Sequence, residues 1–250
     1  MELQGRVAIV TGGGTGVGAA TCMRLAEAGC NVVVNYSRSA DAANSVAARC
    51  REAGVDAEAH QADVSDDAQC RDLVDAAVRR FGRLDVLVNN AGTTSFVAHD
   101  DLEGMTDDAW NRIMEVNLKG PFLCTRAALP HLRADGGGEI VMTSSIGGLA
   151  GIGSSIAYCA SKAGLNNLVV TLARVAGPEV RVNAVAPGFI DGDWLRDGLG
   201  EAYEAVRDMF AAQSLTGRVS TSDDVAAAIV ALATGSDQVT GHIMPVEGGG

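Results

Sequence analysis

Short, nearly continuous apolar runs alternate with longer helical patterns along the whole chain. The runs at 7–10, 32–34, 55–60, 84–88, 139–143, 180–186 and 242–246 read as strands. Val7-Ala8-Ile9-Val10 and Val32-Val33-Val34 show no polar alternation, which marks strands covered on both faces, as in a parallel sheet. Between the runs, 18–28, 41–53, 67–81 and 107–132 read as helices, and 156–175 as another. Ser65-Asp66-Asp67 and Thr106-Asp107-Asp108 look like helix starts, with a capping hydroxyl followed by acids that suit the helix dipole. Gly29, Gly54 and Gly82 stand where a helix should stop. Strand, helix, strand in repetition predicts an α/β fold: a Rossmann-type, doubly wound parallel sheet of seven strands with helices on both faces. No linker, composition break or short repeat interrupts the pattern, so residues 1–250 are expected to form a single domain. Residues 135–138 read as a glycine-rich helix-to-strand turn, and 188–200 as the one long irregular stretch.

Composition narrows the class. A chain of 250 residues buries enough surface to need no staples. The net charge of −12 argues against binding nucleic acid or an anionic membrane surface, and no apolar run has the length to span a bilayer. The six cysteines (Cys22, Cys30, Cys50, Cys70, Cys124, Cys159) show no C-x-x-C pair or zinc-like cluster. Glu2 and Gln4 interrupt any early apolar run, so a cytoplasmic protein with reduced thiols is expected. The four histidines (His60, His99, His131, His242) lack metal-ligand spacing, and no metal is expected. Cys159 has no histidine nearby in sequence to activate it as a nucleophile.

Candidate chemistry begins after the first strand. Thr11-Gly12-Gly13-Gly14-Thr15-Gly16-Val17-Gly18 runs straight into a helix. Glycines there allow a tight turn and let a pyrophosphate approach the helix N-terminus, whose free amides and dipole attract anions. The spacing is Gly-x-x-x-Gly-x-Gly rather than Gly-x-Gly-x-x-Gly, which alters the register of the turn. The second strand ends in Asn35-Tyr36-Ser37-Arg38, without the acid that would hold an adenosine ribose and repel a 2′-phosphate. Arg38 can clamp such a phosphate and Ser37 can donate to it, so NADP(H) is expected over NAD(H). A solvated helix-start arginine is the plain alternative. Further on, Tyr158 and Lys162 stand four apart, on one face of a helix. A free phenol titrates near 10, and a neighbouring ammonium is expected to bring it towards the working pH.

The glycine turn, Asn89-Asn90-Ala91-Gly92, Ser145, Tyr158-x-x-x-Lys162 and Pro187-Gly188 follow the order and spacing of the short-chain dehydrogenase/reductases. The chain resembles that family over its whole length, and most of all its 3-oxoacyl-carrier-protein reductase and glucose-dehydrogenase-like branch. The resemblance implies that Tyr158 is the general acid of reduction and the base of the reverse reaction. It implies that Lys162 lowers the phenol's pKa and holds the nicotinamide ribose. Ser145 would hydrogen-bond the substrate oxygen, with Ser144 the competing candidate, and Asn117 would fix a water linking Lys162 to solvent. Hydride arriving at a carbonyl carbon leaves charge on oxygen, which donors from Ser145 and Tyr158 would stabilise. The same likeness implies cofactor contacts from Gly12, Gly14, Thr15, Gly16, Val17 and Gly18. It adds Ser37 and Arg38, then Asp63 and Val64 at the adenine, and Asn90, Ala91 and Gly92 at the adenosine ribose. Pro187, Gly188 and Ile190 would meet the carboxamide. Gly192 departs from the pattern, since many relatives carry a cofactor-contacting threonine there.

Residues 188–215 hold Trp194, Leu195, Tyr203, Met209 and Phe210 and are expected to form a substrate-loop insertion, a lid. Its apolar side chains either line a pocket or pack on the domain. Thr94-Ser95-Phe96 and 146–155 are the other candidate walls. No Arg or Lys occurs in these segments before Arg196, so an uncharged ketone or a thioester-linked acyl chain fits better than a small anion. Helices 107–132 and 156–175 and the tail 239–250 resemble subunit contacts and imply a homotetramer. The expected activity is NADPH-dependent reduction of a ketone, a 3-oxoacyl thioester among the candidates, to a secondary alcohol. The alternatives are a sugar, polyol or steroid alcohol dehydrogenase using NAD(P), and a non-catalytic nucleotide sensor, which would be expected to have lost the Tyr/Lys pair.

Overall fold

In the computed structural model, which describes residues 1–134 and 136–249, the seven expected strands pair in parallel. They are β1 (Val7–Val10), β2 (Asn31–Tyr36), β3 (Ala57–Gln61), β4 (Val86–Asn89), β5 (Gly138–Thr143), β6 (Val180–Pro187) and β9 (Ile243–Val246). Their order across the sheet is β3-β2-β1-β4-β5-β6-β9, so the winding reverses between β1 and β4. A crevice opens outside the carboxyl ends at such a reversal, where ligands of open α/β sheets bind. A separate two-stranded parallel ribbon joins β7 (Ile190–Asp191) to β8 (Ser220–Thr221).

Successive strand residues point to opposite faces and build two cores. Ile9, Val33, Leu87 and Ile140 face α3 (Asp67–Phe81), α5 (Gly120–Ala134) and α7 (Ile156–Ala176). Ala8, Val10, Val32 and Val34 face α1 (Gly16–Glu27), α2 (Ala40–Glu52) and α10 (Ser222–Thr234). Residues of the five inner strands are buried on both sides, which is why those runs read as nearly continuous apolar segments, while the edge strands β3 and β9 are half-buried.

The structure corrects three expectations. The single helix expected over 107–132 is α4 (Asp107–Met114), a widened π turn (Glu115–Lys119) and α5. Pro121 has no N–H to give the Asn117 carbonyl, so the α-helical ladder breaks here, and Gly120 N–H donates to Glu115 O. Residues 188–200 are not irregular: they contain β7 and α8 (Asp193–Leu199), and α9 (Tyr203–Gln213) follows. Helix α10 goes beyond the expected set, started by a reciprocal cap in which Thr221 and Asp224 exchange side-chain and backbone bonds. Of the expected turn at 135–138, Asp135 lies outside the described residues, as does Gly250 at the tail. Among the described residues no helix is long and apolar enough to cross a membrane.

Candidate active site

Between β1 and α1 the chain turns through Gly12 at φ 62° and Gly16 at φ 51°, where a side chain would be strained. A Cβ on Gly18 would sit 2.1 Å from Gly12 O and 2.7 Å from Asn90 Nδ2, so α1 lies directly against the turn. Buried asparagines hold this shape. Asn35 Oδ1 accepts from Gly12 N–H at 3.2 Å, while its Nδ2 donates to His60 O at 3.3 Å and Ala62 O at 3.1 Å. Asn90 Nδ2 donates to Thr11 O and Gly12 O, and the Thr11 hydroxyl oxygen accepts from Asn90 and Ala91 N–H. The first turn of α1 carries no acid, and its Thr15 cap makes no side-chain bond to it. Those amides remain donors facing the crevice, a fit for an anion such as a pyrophosphate.

At the carboxyl end of β5 the two candidate serines part company. The Ser144 hydroxyl points beneath α7 and donates to Asn166 Oδ1 at 2.5 Å. Ser145 faces the crevice, and its hydroxyl, beside the Tyr158 phenol, draws that group's pKa down. Helix α7 starts where Ser155 Oγ accepts Tyr158 N–H at 3.2 Å, and one turn later places Lys162 next to the same ring. Lys162 Nζ lies 5.7 Å from the Tyr158 ring centroid and donates to Thr143 O at 2.7 Å. Asn117, in the π turn, accepts from Thr93 N–H and donates to Thr93 O and Ser161 Oγ. A Cβ built on Gly92 would be 3.6 Å from Asn117 Oδ1 and 3.9 Å from Lys162 Nζ, ordinary contact distances that place this stretch beside both groups.

Burial overrides the expected electrostatics of the pair. Removed from water, the Tyr158 phenol is pushed up to about 12, and the Lys162 amine down to about 8. With Lys162 beside it, the phenol's net shift in this state is upward. Desolvation favours both neutral forms, and Ser145 is what opposes it at Tyr158.

The short-chain dehydrogenase family profile matches residues 6–199, which contain the cradle, Ser145, Tyr158 and Lys162. This chain is a short-chain dehydrogenase. It is 42% identical over 98% of its length to cis-4-hydroxycyclohexanecarboxylate dehydrogenase of Sinomonas cyclohexanicum, covering 96% of that protein. It is 36% identical over 97% of its length to a 3-oxoacyl-(acyl-carrier-protein) reductase of Staphylococcus aureus, covering 96% of it. Among solved structures, NAD+-bound xylitol dehydrogenase superposes with a TM-score of 0.91 at 28% identity, each chain covered completely. As a member of this family the chain is an NAD(P)-dependent oxidoreductase.

In this short-chain dehydrogenase the cradle and the polar cluster share one cavity of about 450 Å³. Of the expected site residues, it brings together Gly12, Thr15, Gly16, Val17, Asn90, Ala91, Gly92, Ser145, Tyr158, Lys162, Pro187, Gly188 and Ile190. The others lie outside its wall. Gly14 packs on α2, where a Cβ would meet Ala43 N at 3.1 Å, and Gly18 supports the turn from behind. Ser37 and Arg38 are exposed after β2, and among the described residues Arg38 has no ion-pair partner. Val64 turns its side chain into the core, and the Asp63 carboxylate accepts from Ser65 and Arg112. Asn117 supports Thr93 rather than lining the space. Sequence reasoning missed the roles of Asn35 and Thr11 as clasps of the glycine turn. An asparagine directly after the apolar Val32-Val33-Val34 of β2 was the available signal. All six cysteines are buried and unpaired, and burial pushes the Cys159 thiol up, away from nucleophilic use.

Proposed function

We propose that this short-chain dehydrogenase reduces an uncharged ketone to a secondary alcohol, using NADPH. The observation that carries the reading is the convergence of the Ser145 hydroxyl, the Tyr158 phenol and the Lys162 amine in the cavity that also contains the glycine cradle. Bound at the cradle, the dinucleotide supplies hydride to the carbonyl carbon. Ser145 and Tyr158 donate hydrogen bonds to the carbonyl oxygen, and Tyr158 gives its proton as charge develops there. A phenol held at about 12 is fully protonated at neutral pH, the form that reduction needs. Lys162 stands beside it to stabilise the phenolate left behind and to hold the nicotinamide ribose, with Asn117 ordering the path by which a proton returns. The unpaired, exposed Arg38 and the Ser37 hydroxyl favour a 2′-phosphate.

Residues 188–215 act as the lid of a single domain, and a homotetramer fits the exposed apolar side chains of α4, α5 and α7, such as Trp110 and Phe122. A cytoplasmic setting suits six unpaired thiols. Tyr158→Phe tests the mechanism. Turnover of a ketone should fall by about two to four orders of magnitude, while fluorescence titrations still show NADPH bound more tightly than NADH. Undiminished turnover, or tighter binding of NADH, overturns the corresponding half of the reading.

A further inference from the structure

Across the cavity from the cradle three aromatic rings gather. Trp194 on α8 lies 6.2 Å from the Tyr158 ring and 6.3 Å, edge to face, from Phe96. Phe96 is fixed at its base, where Val97 N–H donates to Ser154 O and the Thr94 and Ser154 hydroxyls bond at 2.6 Å. Its ring fills the space over Gly198, where a Cβ would fall 2.0 Å away, so Phe96 and α8 pack together as one wall. Trp194 nevertheless keeps 51% of its surface exposed, and Ile152 opposite keeps 59%. Leu199, Val206 and Phe210 complete an apolar lining in which, among the described residues, Lys162 is the one charged side chain.

We propose that Trp194 and Phe96 form an aromatic clamp beside Tyr158, and that the substrate is a compact, uncharged ring ketone. The inference rests on the reductase reading and names its substrate class. Rings placed this way receive a flat partner in the offset or edge-on contacts that aromatic quadrupoles favour. A flexible acyl chain would cover the same wall only by freezing its rotors. The cradle lines one side of the same 450 Å³ cavity, so the substrate shares that space with the dinucleotide, which favours a compact molecule. A carrier-tethered thioester brings a phosphate on its arm, whereas among the described residues both arginines of 188–215 are ion-paired, Arg207 with Glu204 and Asp208. Arg196 lies over the Tyr203 ring and pairs with Asp191 and Glu204. The net charge of −12 repels anions further.

The probes are 1-tetralone and the N-acetylcysteamine thioester of 3-oxohexanoate, with NADPH as reductant. The clamp requires a kcat/KM for tetralone at least about tenfold above that for the thioester. Trp194→Ala should lower the tetralone value about tenfold, chiefly through KM, and Trp194→Phe should restore it to within about threefold, with a clearly smaller loss for the thioester under Trp194→Ala. Equal losses for both compounds, or a preference for the thioester, overturn the clamp. A binding readout separates its failure from that of the reductase reading. In a Trp110→Phe background, tetralone should quench Trp194 emission in the presence of NADP+. Quenching without turnover of either ketone leaves the clamp standing and sinks the reductase reading. Turnover that is independent of Trp194, without quenching, does the reverse.

Discussion

At the cradle, Asn35 and Asn90 use their side-chain amides on the backbone of the glycine turn, whereas across the cavity Trp194 leaves half its surface in solvent. The cradle is built from strand ends and the start of a long helix. The far wall is a short helix, α8, none of whose residues is buried. The contrast follows from what each side must recognise. A dinucleotide presents one fixed set of phosphates and riboses, so a preformed receptor whose turn is clasped by Asn35 and Asn90 loses nothing by rigidity. A substrate wall carries contact area with few backbone constraints, the low-stability end of a fold from which lids are drawn.

The sharpest way to break this comparison is to add one methyl group on each side. Gly18→Ala drives a Cβ to 2.1 Å from a backbone carbonyl that cannot move without opening the turn. Urea denaturation should show a loss of about 3 kcal/mol or more, and NADPH binding should collapse with it. Gly192→Ala is the matched control. Its extended backbone accepts any residue, and no described atom lies within 4 Å of the added Cβ. Its stability should stay within about 0.5 kcal/mol of wild type. Similar losses for the two substitutions would mean that the cradle is no stiffer than the lid.

Much of the stiff side was legible in the sequence because its signals are local. Apolar runs without alternation mark β1 and β2, and glycines mark the turn between β1 and α1. The break at Asn117 was also written locally, in a proline four residues on, as was the start of α10 in Thr221 and Asp224. What stayed hidden depends on tertiary placement. Two adjacent serines at a strand end look alike until the sheet shows Ser144 under α7 and Ser145 in the crevice. Four-residue spacing brings Tyr158 and Lys162 together, but it says nothing of burial, and burial reverses the expected shift of the phenol. On α8, apolar composition was plain, while the packing of Trp194 against Phe96 and Tyr158 joins three segments far apart in the chain and has no local signature.

The buried pair gives a second test, of the stiff side alone. Lys162 titrates at about 8 when folded against 10.5 when exposed, so between those values the unfolded chain binds the extra proton. Stability should therefore rise with pH across that window and be lowest below it. Tyr158, raised from 10.0 to about 12, works the other way: its contribution is full below 10 and lost as pH climbs to 12. Cysteine titrations overlap, so the quantity to measure is the difference between wild type and Lys162→Met in urea at pH 7 and pH 10. The wild type should gain on the variant by on the order of 3 kcal/mol over that range. Parallel profiles would show that the folded amine holds its proton as firmly as an exposed one, and would remove burial as a cost on the Lys162 charge.

The smallest effect is expected where the lid joins the sheet. The Tyr203 hydroxyl donates to Asp191 Oδ1 and accepts from Gly192 N–H at 3.3 Å, just before α8 begins. Its ring packs on Phe189 at 5.6 Å and under Arg196 at 4.2 Å. Tyr203→Phe keeps both ring contacts and deletes only the polar tether, so the global cost should be about 1 kcal/mol. Because that tether sets where α8 starts, amide exchange should quicken over 190–199 and stay unchanged over 12–18. Ketone KM should rise a few-fold with kcat held, since Trp194 loses its anchor while Ser145 and Tyr158 keep theirs. Faster exchange in the cradle as well would mean that the two walls share one cooperative unit, and the division of the cavity into a rigid receptor and an adaptable wall would have to be given up.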